Sequence, residues 1–270
     1  VFDGVDKVFN SNDSGVVPKI NIKHDLTDDV MVYGTYSEGF RASGINRVRP
    51  AQTAFIPETY DSDYLESLEF GFKSTLADGK LILNGAYFMM DWNDFQSTTY
   101  NLDYSTVAFV DNVGNAEING LELDATYRPN DSLTLSAYMV SNDPSLSQDY
   151  FDVSGVLQAN AGNRLAYVPE LSYVLGMDKV LTIAGKPGYF ALDYSYTGDR
   201  YTSQANTLKL PSYAIANMRM GVEMENSLME IYLTNLTDEN GYQSRYDDFG
   251  DVRRTQNRPR VVGVRFKYRY

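Results

Sequence analysis

Apolar and polar side chains alternate strictly at the C-terminal end of the chain. From Val262 to Tyr270 the even-numbered positions are aliphatic or aromatic, and the odd-numbered positions are Gly263 or basic residues. Because successive side chains of a β-strand point to opposite faces, this pattern predicts a strand with one apolar and one cationic face. Such a strand suits a membrane β-barrel, in which aromatic and aliphatic residues face lipid and charges face a wet lumen.

The same alternation recurs along the chain and predicts eleven strands. We expect them at Val16–Asp25, Val30–Phe40, Tyr64–Leu76, Leu81–Phe95, Ala116–Arg128, Leu133–Ser141, Pro169–Val180, Tyr189–Gly198, Tyr213–Glu223, Leu228–Leu236 and Arg258–Tyr270. Charges opposite the apolar positions would be costly in a dry core, so we predict that they face a lumen. These lumen-facing residues are Glu69, Glu122, Asp124, Arg219, Arg265 and Lys267. For Glu122 and Asp124 we favour ion pairs with neighbouring Arg or Lys over a direct part in transport.

Short and long connections alternate between the predicted strands. The short ones carry turn residues and lie at Leu26–Asp29, Ala77–Lys80, Pro129–Asp131, Gly185–Gly188 and Glu225–Ser227. The long ones lie near Arg41–Tyr60, Ser97–Asn115, Asn142–Val168, Asp199–Pro211 and Thr237–Pro259. Outer-membrane barrels have short periplasmic turns and long extracellular loops, whereas a β-sandwich has no reason to sort its loops in this way. The sorting favours an all-β, antiparallel transmembrane β-barrel with the C-terminus on the periplasmic side.

Composition is consistent with a barrel and argues against other classes of protein. The chain has 22 Tyr and 13 Phe, which suit aromatic girdles, and no run of about 20 apolar residues that would predict a transmembrane helix. Its net charge of -13 argues against a nucleic-acid partner. Cysteine is absent and His24 is the single histidine, so we predict no metal site and no cofactor. We also find no nucleophile motif and expect no enzymatic activity.

Five segments resemble TonB-dependent outer-membrane receptors, in the order and spacing of that family. They are VYGTYSEGFRASGIN (Val32–Asn46), ETYDSDYLESLEFGFKSTL (Glu58–Leu76), DNVGNAEINGLELDATYRP (Asp111–Pro129), IYLTNLTDENGYQSRY (Ile231–Tyr246) and the terminal RPRVVGVRFKYRY. The resemblance covers the chain from about Val16 to Tyr270. The first residues are polar and lack an apolar signal segment, so we expect a mature or internal part of a longer polypeptide.

The resemblance implies a barrel of about 22 strands around an N-terminal plug. Residues 1–270 would be the C-terminal part of this barrel, with its last eleven strands, and the plug and N-terminal strands would be absent from the chain. The implied location is the outer membrane of a Gram-negative bacterium. Implied partners are the lipid bilayer with its lipopolysaccharide, TonB with its inner-membrane energising complex (through the missing N-terminal part), and the barrel-assembly machinery. The assembly signal would comprise Phe266, Tyr268 and Tyr270.

The function that the resemblance implies is active import of a scarce nutrient, most commonly a ferric siderophore, bound in the extracellular loops. Candidate ligand contacts are Phe40, Arg41, Tyr100, Tyr104, Tyr150, Phe151, Tyr201, Tyr242 and Tyr246. Structural roles stay open for these residues, with Phe40 in an aromatic girdle and Arg41 at a loop base. Trp92 and Phe95 are expected at the outer membrane interface. The clustered acids of Thr237–Pro259 leave calcium binding open, although their spacing does not favour it. A passive porin or structural barrel without plug coupling is the alternative function.

Overall fold

The computed structural model describes residues 13–49, 52–99, 108–248 and 251–269, and its eleven long strands form one sheet. Numbered with the shorter strands in chain order, the eleven are β1 (Lys19–Thr27), β2 (Val30–Arg41), β5 (Asp63–Leu76), β6 (Leu81–Asn93), β9 (Ala116–Asn130), β10 (Leu133–Leu146), β13 (Leu171–Ile183), β14 (Lys186–Thr197), β17 (Tyr213–Met224), β18 (Ser227–Thr234) and β21 (Val261–Tyr268). Each strand is antiparallel to the next, and the order in the sheet follows the order in the chain. This confirms the predicted antiparallel all-β fold, with the sheet open at β1 and β21.

All eleven predicted strands are present, with some ends shifted. β10 continues beyond Ser141 to its end at Leu146. β13 begins after Pro169, a residue that has no N–H to donate to a ladder. The turn predicted at Gly185–Gly188 is instead formed by Ala184 and Gly185, whose φ angles are 49° and 77°. Two consecutive residues with positive φ match the right-handed twist of a tight hairpin.

Each long connection contains a two-stranded hairpin of its own, which the sequence pattern did not predict. We name these connections loop A (42–62), loop B (94–115), loop C (147–170), loop D (198–212) and loop E (235–260). Their hairpins pair β3 (Gly44–Ile45) with β4 (Thr59–Tyr60), β7 (Gln96–Thr99) with β8 (Phe109–Asn112), β11 (Tyr150–Phe151) with β12 (Leu157–Ala159), β15 (Arg200–Tyr201) with β16 (Lys209–Leu210), and β19 (Tyr242–Asp248) with β20 (Asp251–Gln256). The eleven long strands, which we call the wall strands, alternate in direction. All five loops therefore emerge at one end of the sheet, which we call the long-loop end.

The strand register sorts side chains onto two faces. Tyr33, Gly71, Ala86 and Glu122 lie directly opposite one another across four neighbouring strands and define what we call the polar face. The other face, which we call the apolar face, carries aliphatic and aromatic side chains along most of its length. Phe70 is 52% exposed there. Exposed apolar surface on this scale indicates an environment other than water.

The largest cluster of buried apolar side chains lies at the long-loop end and not within the sheet. It comprises Val113, Ala116, Leu146, Tyr150, Ala159 and Leu165, with Trp92, Phe95, Ile118 and Val168 packed against it. We call this cluster the loop core. Ile56 in loop A and Leu210 in loop D are also fully buried. Among the described residues, no helix is long and apolar enough to cross a membrane.

Candidate functional site

The six charged residues predicted to face a lumen all lie on the polar face, namely Glu69, Glu122, Asp124, Arg219, Arg265 and Lys267. On the side of β2 to β9, Tyr33 donates its hydroxyl to Glu69 at 2.6 Å, and the Asn84 amide donates to Asp124 at 3.0 Å. The ion pairs expected for Glu122 and Asp124 are not formed within the described residues. Both donors are neutral, and Glu69, Glu122 and Asp124 share this side with the cation of Lys73, which lies 6.0 Å from the Tyr33 ring centre.

The opposite side of the polar face, from β13 to β21, combines both signs of charge. Arg265 Nη1 lies 2.8 Å from Oε1 of Glu230, which is buried. Arg219 Nη2 lies 3.9 Å from Oδ1 of Asp178, and both of these side chains are mostly exposed. Exposed pairs contribute little to stability, so the cation of Arg219 stays available to a further partner.

A buried carboxylate, Asp63, ties the first strands to loop B. The residue is 1% exposed. Its oxygens accept hydrogen bonds from Nε and Nη2 of Arg41, from the Trp92 indole at 2.9 Å and from the Gln96 backbone N–H at 3.0 Å. Arg41 also donates to the Gln96 carbonyl at 2.8 Å, and its guanidinium lies 5.0 Å from the Trp92 ring centre. Arg41, a predicted ligand contact or loop anchor, is thus placed as a structural link at the loop base.

Phe40 and Arg41 point to opposite faces because they are neighbours in β2. Phe40 lies on the apolar face, where its ring stacks on that of Tyr64 with centroids 6.1 Å apart. Trp92 and Phe95, expected at a membrane interface, instead pack on each other at 4.4 Å and against the loop core. The carboxylate of Asp63 explains this position for Trp92, because it gives the partly buried indole N–H an acceptor.

Tyr150 is part of the loop core and is 6% exposed. Its hydroxyl donates to Oδ2 of Asp111 at 2.6 Å, which links loop C to loop B. Burial raises the pKa of Asp111 above its usual value, although the Tyr150 hydroxyl and the Asn112 backbone N–H act in the opposite direction. Burial, with Asp111 beside it, also raises the pKa of Tyr150. Phe151, the next candidate residue, is 54% exposed at the surface of loop C.

A cluster of charges joins loops C and D around Tyr201. Asp199 Oδ2 lies 2.8 Å from Lys209 Nζ and 2.9 Å from Arg164 Nη1. Both cations lie over the Tyr201 ring, at 5.8 Å and 5.5 Å from its centre. Lys209 and, after it, Arg164 hold the pKa of Asp199 below its usual value, and Asp199 in turn raises the pKa of Lys209.

Arg200 joins loops D and E. It is 6% exposed, and its Nη2 donates to the carbonyls of Tyr242 and Gln243 at 2.9 and 3.3 Å. Its Nη1 is buried and has no hydrogen-bond partner in the described part of the chain. The ring of Tyr242 lies 5.0 Å from the Arg254 guanidinium, which also donates to the Tyr242 hydroxyl at 3.1 Å. Tyr242 and Arg254 thus present an aromatic ring and a cation together on loop E.

Side-chain hydrogen bonds join loops A to E into one layer. They link Asn46 with Val110, Tyr150 with Asp111, Arg164 with Asp199, and Arg200 with Tyr242. Sequence reasoning missed Asp63, Asp111, Asp199, Arg164 and Arg200 as organising residues. The partners in this layer are 35 to 64 positions apart, so no local pattern pointed to them.

Several predicted residues lie beyond what the structure describes. Tyr100, Tyr104 and Tyr270 are outside the described residues, and only the backbone of Tyr246 is described. Phe266 and Tyr268 are exposed on the apolar face of β21, by 63% and 56%. The described residues contain no group of three or more His, Asp or Glu arranged to hold a metal ion.

Comparison with known sequences identifies the family. A family model described as TonB dependent receptor-like, beta-barrel matches residues 1–236. The pesticin receptor of Yersinia pestis is 24% identical over 257 residues, which are 94% of this chain and 36% of the relative. The pesticin receptor of Yersinia enterocolitica is 23% identical over 257 residues, which are again 94% of this chain and 36% of the relative. The chain therefore spans about a third of the length of the curated relatives it matches.

Solved structures agree on the fold. The ferric yersiniabactin uptake receptor FyuA from Yersinia pestis matches with a TM-score of 0.80 and 22% identity, over 95% of this chain and 37% of that chain. The siderophore receptor PiuA from Acinetobacter baumannii matches with a TM-score of 0.72 and 18% identity, over 93% of this chain and 35% of that chain. Members of the matched family are transporters of the Gram-negative outer membrane and not enzymes. The chain belongs to the TonB-dependent receptor family, and its eleven wall strands are part of the outer-membrane β-barrel of a member.

Proposed function

We propose that the receptor containing this chain binds a ferric siderophore in its extracellular loops and imports it actively into the periplasm. FyuA is named as an uptake receptor for ferric yersiniabactin and PiuA as a siderophore receptor, and both share this fold. The polar face would line the lumen, with Glu122 and Asp124 against a plug. TonB and its inner-membrane complex would supply the energy that moves this plug.

The loop layer above the polar face is the observation that carries the proposal. A polar inner face and an apolar outer face are what a passage through lipid requires. The loops above it have hairpins, buried side chains and mutual hydrogen bonds, so they can hold binding groups in fixed positions. Tyr242 with Arg254, and the exposed ring of Phe151, offer flat aromatic surface and a cation to an anionic chelate.

Transport of this kind makes and breaks no bond in the ligand. The loops must bind tightly outside, and the energised plug must force release inside. During assembly, the terminal aromatic residues of β21 would be recognised by the barrel-assembly machinery, and the apolar face would then contact lipid and lipopolysaccharide. Each of these partners follows from membership of the family and is part of the same proposal.

Uptake of a radiolabelled ferric siderophore by cells that carry the full receptor tests the proposal. We expect uptake to require TonB and the proton-motive force. Replacing Tyr242 and Arg254 by Ala should weaken binding of the chelate by about tenfold or more, as at other aromatic and arginine contacts. The matched control is Tyr87→Ala, which removes an exposed ring from the apolar face.

Two results would contradict the proposal. Uptake that continues without TonB would favour the alternative of a passive barrel. A correctly assembled receptor that binds none of a panel of ferric hydroxamates, catecholates and phenolates would exclude the siderophore as cargo.

A further inference from the structure

A small cavity lies on the side of the apolar face, at the extracellular end of β2, β5 and β6, and its lining includes none of Phe151, Tyr242 and Arg254. Its volume is about 230 Å³, and its lining includes Glu38, Phe40, Tyr64, Glu66, Asn93 and residues 15–17. Register explains why these side chains meet, because Glu38 is directly opposite Glu66 and Phe40 is opposite Tyr64. Tyr64 is in turn opposite Asn93.

Residues 13–18 form a strap that closes one side of this cavity. At one end, Asp13 accepts hydrogen bonds from the hydroxyls of Ser43 at 2.8 Å and Ser62 at 2.6 Å. At the other end, the carbonyl of Pro18 accepts from the backbone N–H of Glu38 at 3.0 Å. Because both ends are fixed, the strap and the aromatic pair enclose a defined space.

The chemistry of the lining is that of a sugar site. The rings of Phe40 and Tyr64 are inclined by only 25° to each other and are 39% and 44% exposed. Exposed aromatic faces of this kind pack on the C–H face of a pyranose ring. The carboxylate of Glu66 and the side-chain amide of Asn93 lie at the edge of the same cavity, where they can bond neighbouring hydroxyls. The Asn93 amide forms no hydrogen bond within the described residues.

The size of the cavity and the charges beside it limit the class of ligand that it can bind. The cavity is smaller than the roughly 300–1,000 Å³ of pockets for drug-sized ligands, so it admits one ring and not an iron chelate. Four carboxylates, those of Glu38, Glu66, Asp91 and Glu117, lie directly opposite one another across four neighbouring strands beside it. This negative row disfavours phosphorylated or acidic sugars and favours neutral or amino sugars.

We propose that this cavity binds one neutral or amino-substituted pyranose ring between the Phe40–Tyr64 pair and the polar edge of Glu66 and Asn93. The site is separate from siderophore transport and does not depend on that function. A free sugar and the headgroup of an outer-leaflet glycolipid share this chemistry, and the position next to the lipid-facing surface gives both access.

Saturation-transfer NMR on the full receptor in phospholipid nanodiscs tests the proposal, with glucose and glucosamine as probes at millimolar concentration. In the wild type we expect saturation transfer from the receptor to the ring protons of the sugar. In Tyr64→Ala the dissociation constant of the sugar should be about tenfold higher, because the aromatic surface is lost. Asn93→Ala should weaken binding by several-fold. Tyr64→Phe keeps the ring and should retain binding, and the control Tyr87→Ala, on the same face outside the cavity, should not differ from wild type.

Absence of transfer to either sugar in the wild type would overturn the proposal, and so would equal transfer in the wild type and Tyr64→Ala. A second set of nanodiscs, containing lipopolysaccharide whose outer core ends in neutral hexoses, distinguishes the two sources. Loss of the free-sugar signal there, but not in phospholipid, would assign the site to the glycolipid headgroup. If the free-sugar signal is the same with and without lipopolysaccharide, the glycolipid is excluded as the ligand and the site is assigned to free sugars.

Discussion

The wall of the sheet and the loop layer above it bury their side chains in opposite ways. On the wall, Val264 is 66% exposed and Phe70 is 52% exposed, and both lie on the apolar face, the kind of face that meets lipid in a transmembrane β-barrel. In the loops, Val113 and Leu210 are both 0% exposed. The wall therefore depends on its hydrogen-bond ladders and on lipid, whereas the loop layer has a dry core of its own, like a small soluble domain. Equivalent substitutions should have different costs in the two regions.

The largest effect is expected at the junction of the two regions. Asp63→Ala leaves the Arg41 guanidinium, the Trp92 indole and the Gln96 N–H without their shared acceptor. We expect the loop layer to lose about 4 kcal/mol, because Arg41 is half exposed but three hydrogen bonds to a buried carboxylate are lost, each contributing about 1.5–3 kcal/mol. Limited proteolysis of loops A and B in the folded receptor measures this.

The control for that variant is Asp61→Ala, which removes a carboxylate two positions away where only the backbone takes part in hydrogen bonds. Equal protease sensitivity of the two variants would contradict the assigned role of Asp63.

The second-largest effect is expected from shortening an apolar side chain, which should destabilise the loop core more than the wall. Leu146→Ala opens a cavity in the loop core, where the side chain is 1% exposed, and should cost about 3 kcal/mol. Val264→Ala on the wall removes a side chain that has no dry core around it and should cost well under 1 kcal/mol in detergent. Thermal unfolding followed by loop-specific and wall-specific hydrogen exchange compares them. A larger loss for the wall variant would reverse the comparison.

The pH dependence of the loop layer should show two opposite contributions. The raised pKa of Asp111 means that the folded state binds its proton more readily than the unfolded state, so this carboxyl lowers stability as pH rises through its folded pKa. The pKa of Asp199 is lowered, so the unfolded state binds its proton more readily than the folded state. The stability that Asp199 contributes is therefore present above the usual carboxyl pKa and is lost as pH falls through the pKa of the folded state.

Hydrogen exchange in loops B, C and D can separate these contributions, provided that it is measured from neutral pH down to below the usual aspartate pKa of about 4. In Asp111→Asn the loss of stability with rising pH should disappear from loops B and C. In Asp199→Asn the loss with falling pH should disappear from loop D. Unchanged pH profiles in both variants would show that neither carboxyl titrates with folding.

The smallest effect concerns the row of carboxylates on the outer surface of the wall. Glu66 has Glu38 directly opposite on one side and Asp91 on the other. Like charges in this arrangement destabilise a sheet, so Glu66→Gln should stabilise it by about 0.5 kcal/mol at low salt. The gain should shrink as salt is added. Glu69→Gln, on the polar face, is the control, since it weakens the hydrogen bond from Tyr33 and should not stabilise.

Sequence reasoning worked for the wall because a wall strand repeats one simple pattern. β5, for example, alternates Leu68, Phe70 and Phe72 with Glu69, Gly71 and Lys73, and the structure places these two sets on opposite faces. The faces of Phe40 and Arg41 follow from the same rule, once β2 is seen to include both residues.

The loop layer was less predictable, because its order comes from contacts between distant segments. Hairpins such as β3–β4 and β15–β16 have only two residues in each strand, too few for an alternating pattern. Leu210 lies two positions after Leu208, and nothing in this short segment distinguishes Leu210, which is fully buried, from Leu208, which is not. Asp63 looked like one acid among several before a strand, and only its position between β2, β6 and loop B makes it an acceptor for three partners.

The number of strands in the sheet sets the direction of its two open edges. Eleven is odd, so β1 and β21 both run from the long-loop end to the short-turn end. A second copy of the sheet, rotated about the barrel axis with its loops on the same side of the membrane, would also present only edges that run this way. Its strands would meet β1 and β21 in parallel, which breaks the antiparallel ladder found throughout this wall. Any segment that closes the wall by antiparallel pairing must therefore contribute an odd number of strands, with both outer strands running towards the cell surface.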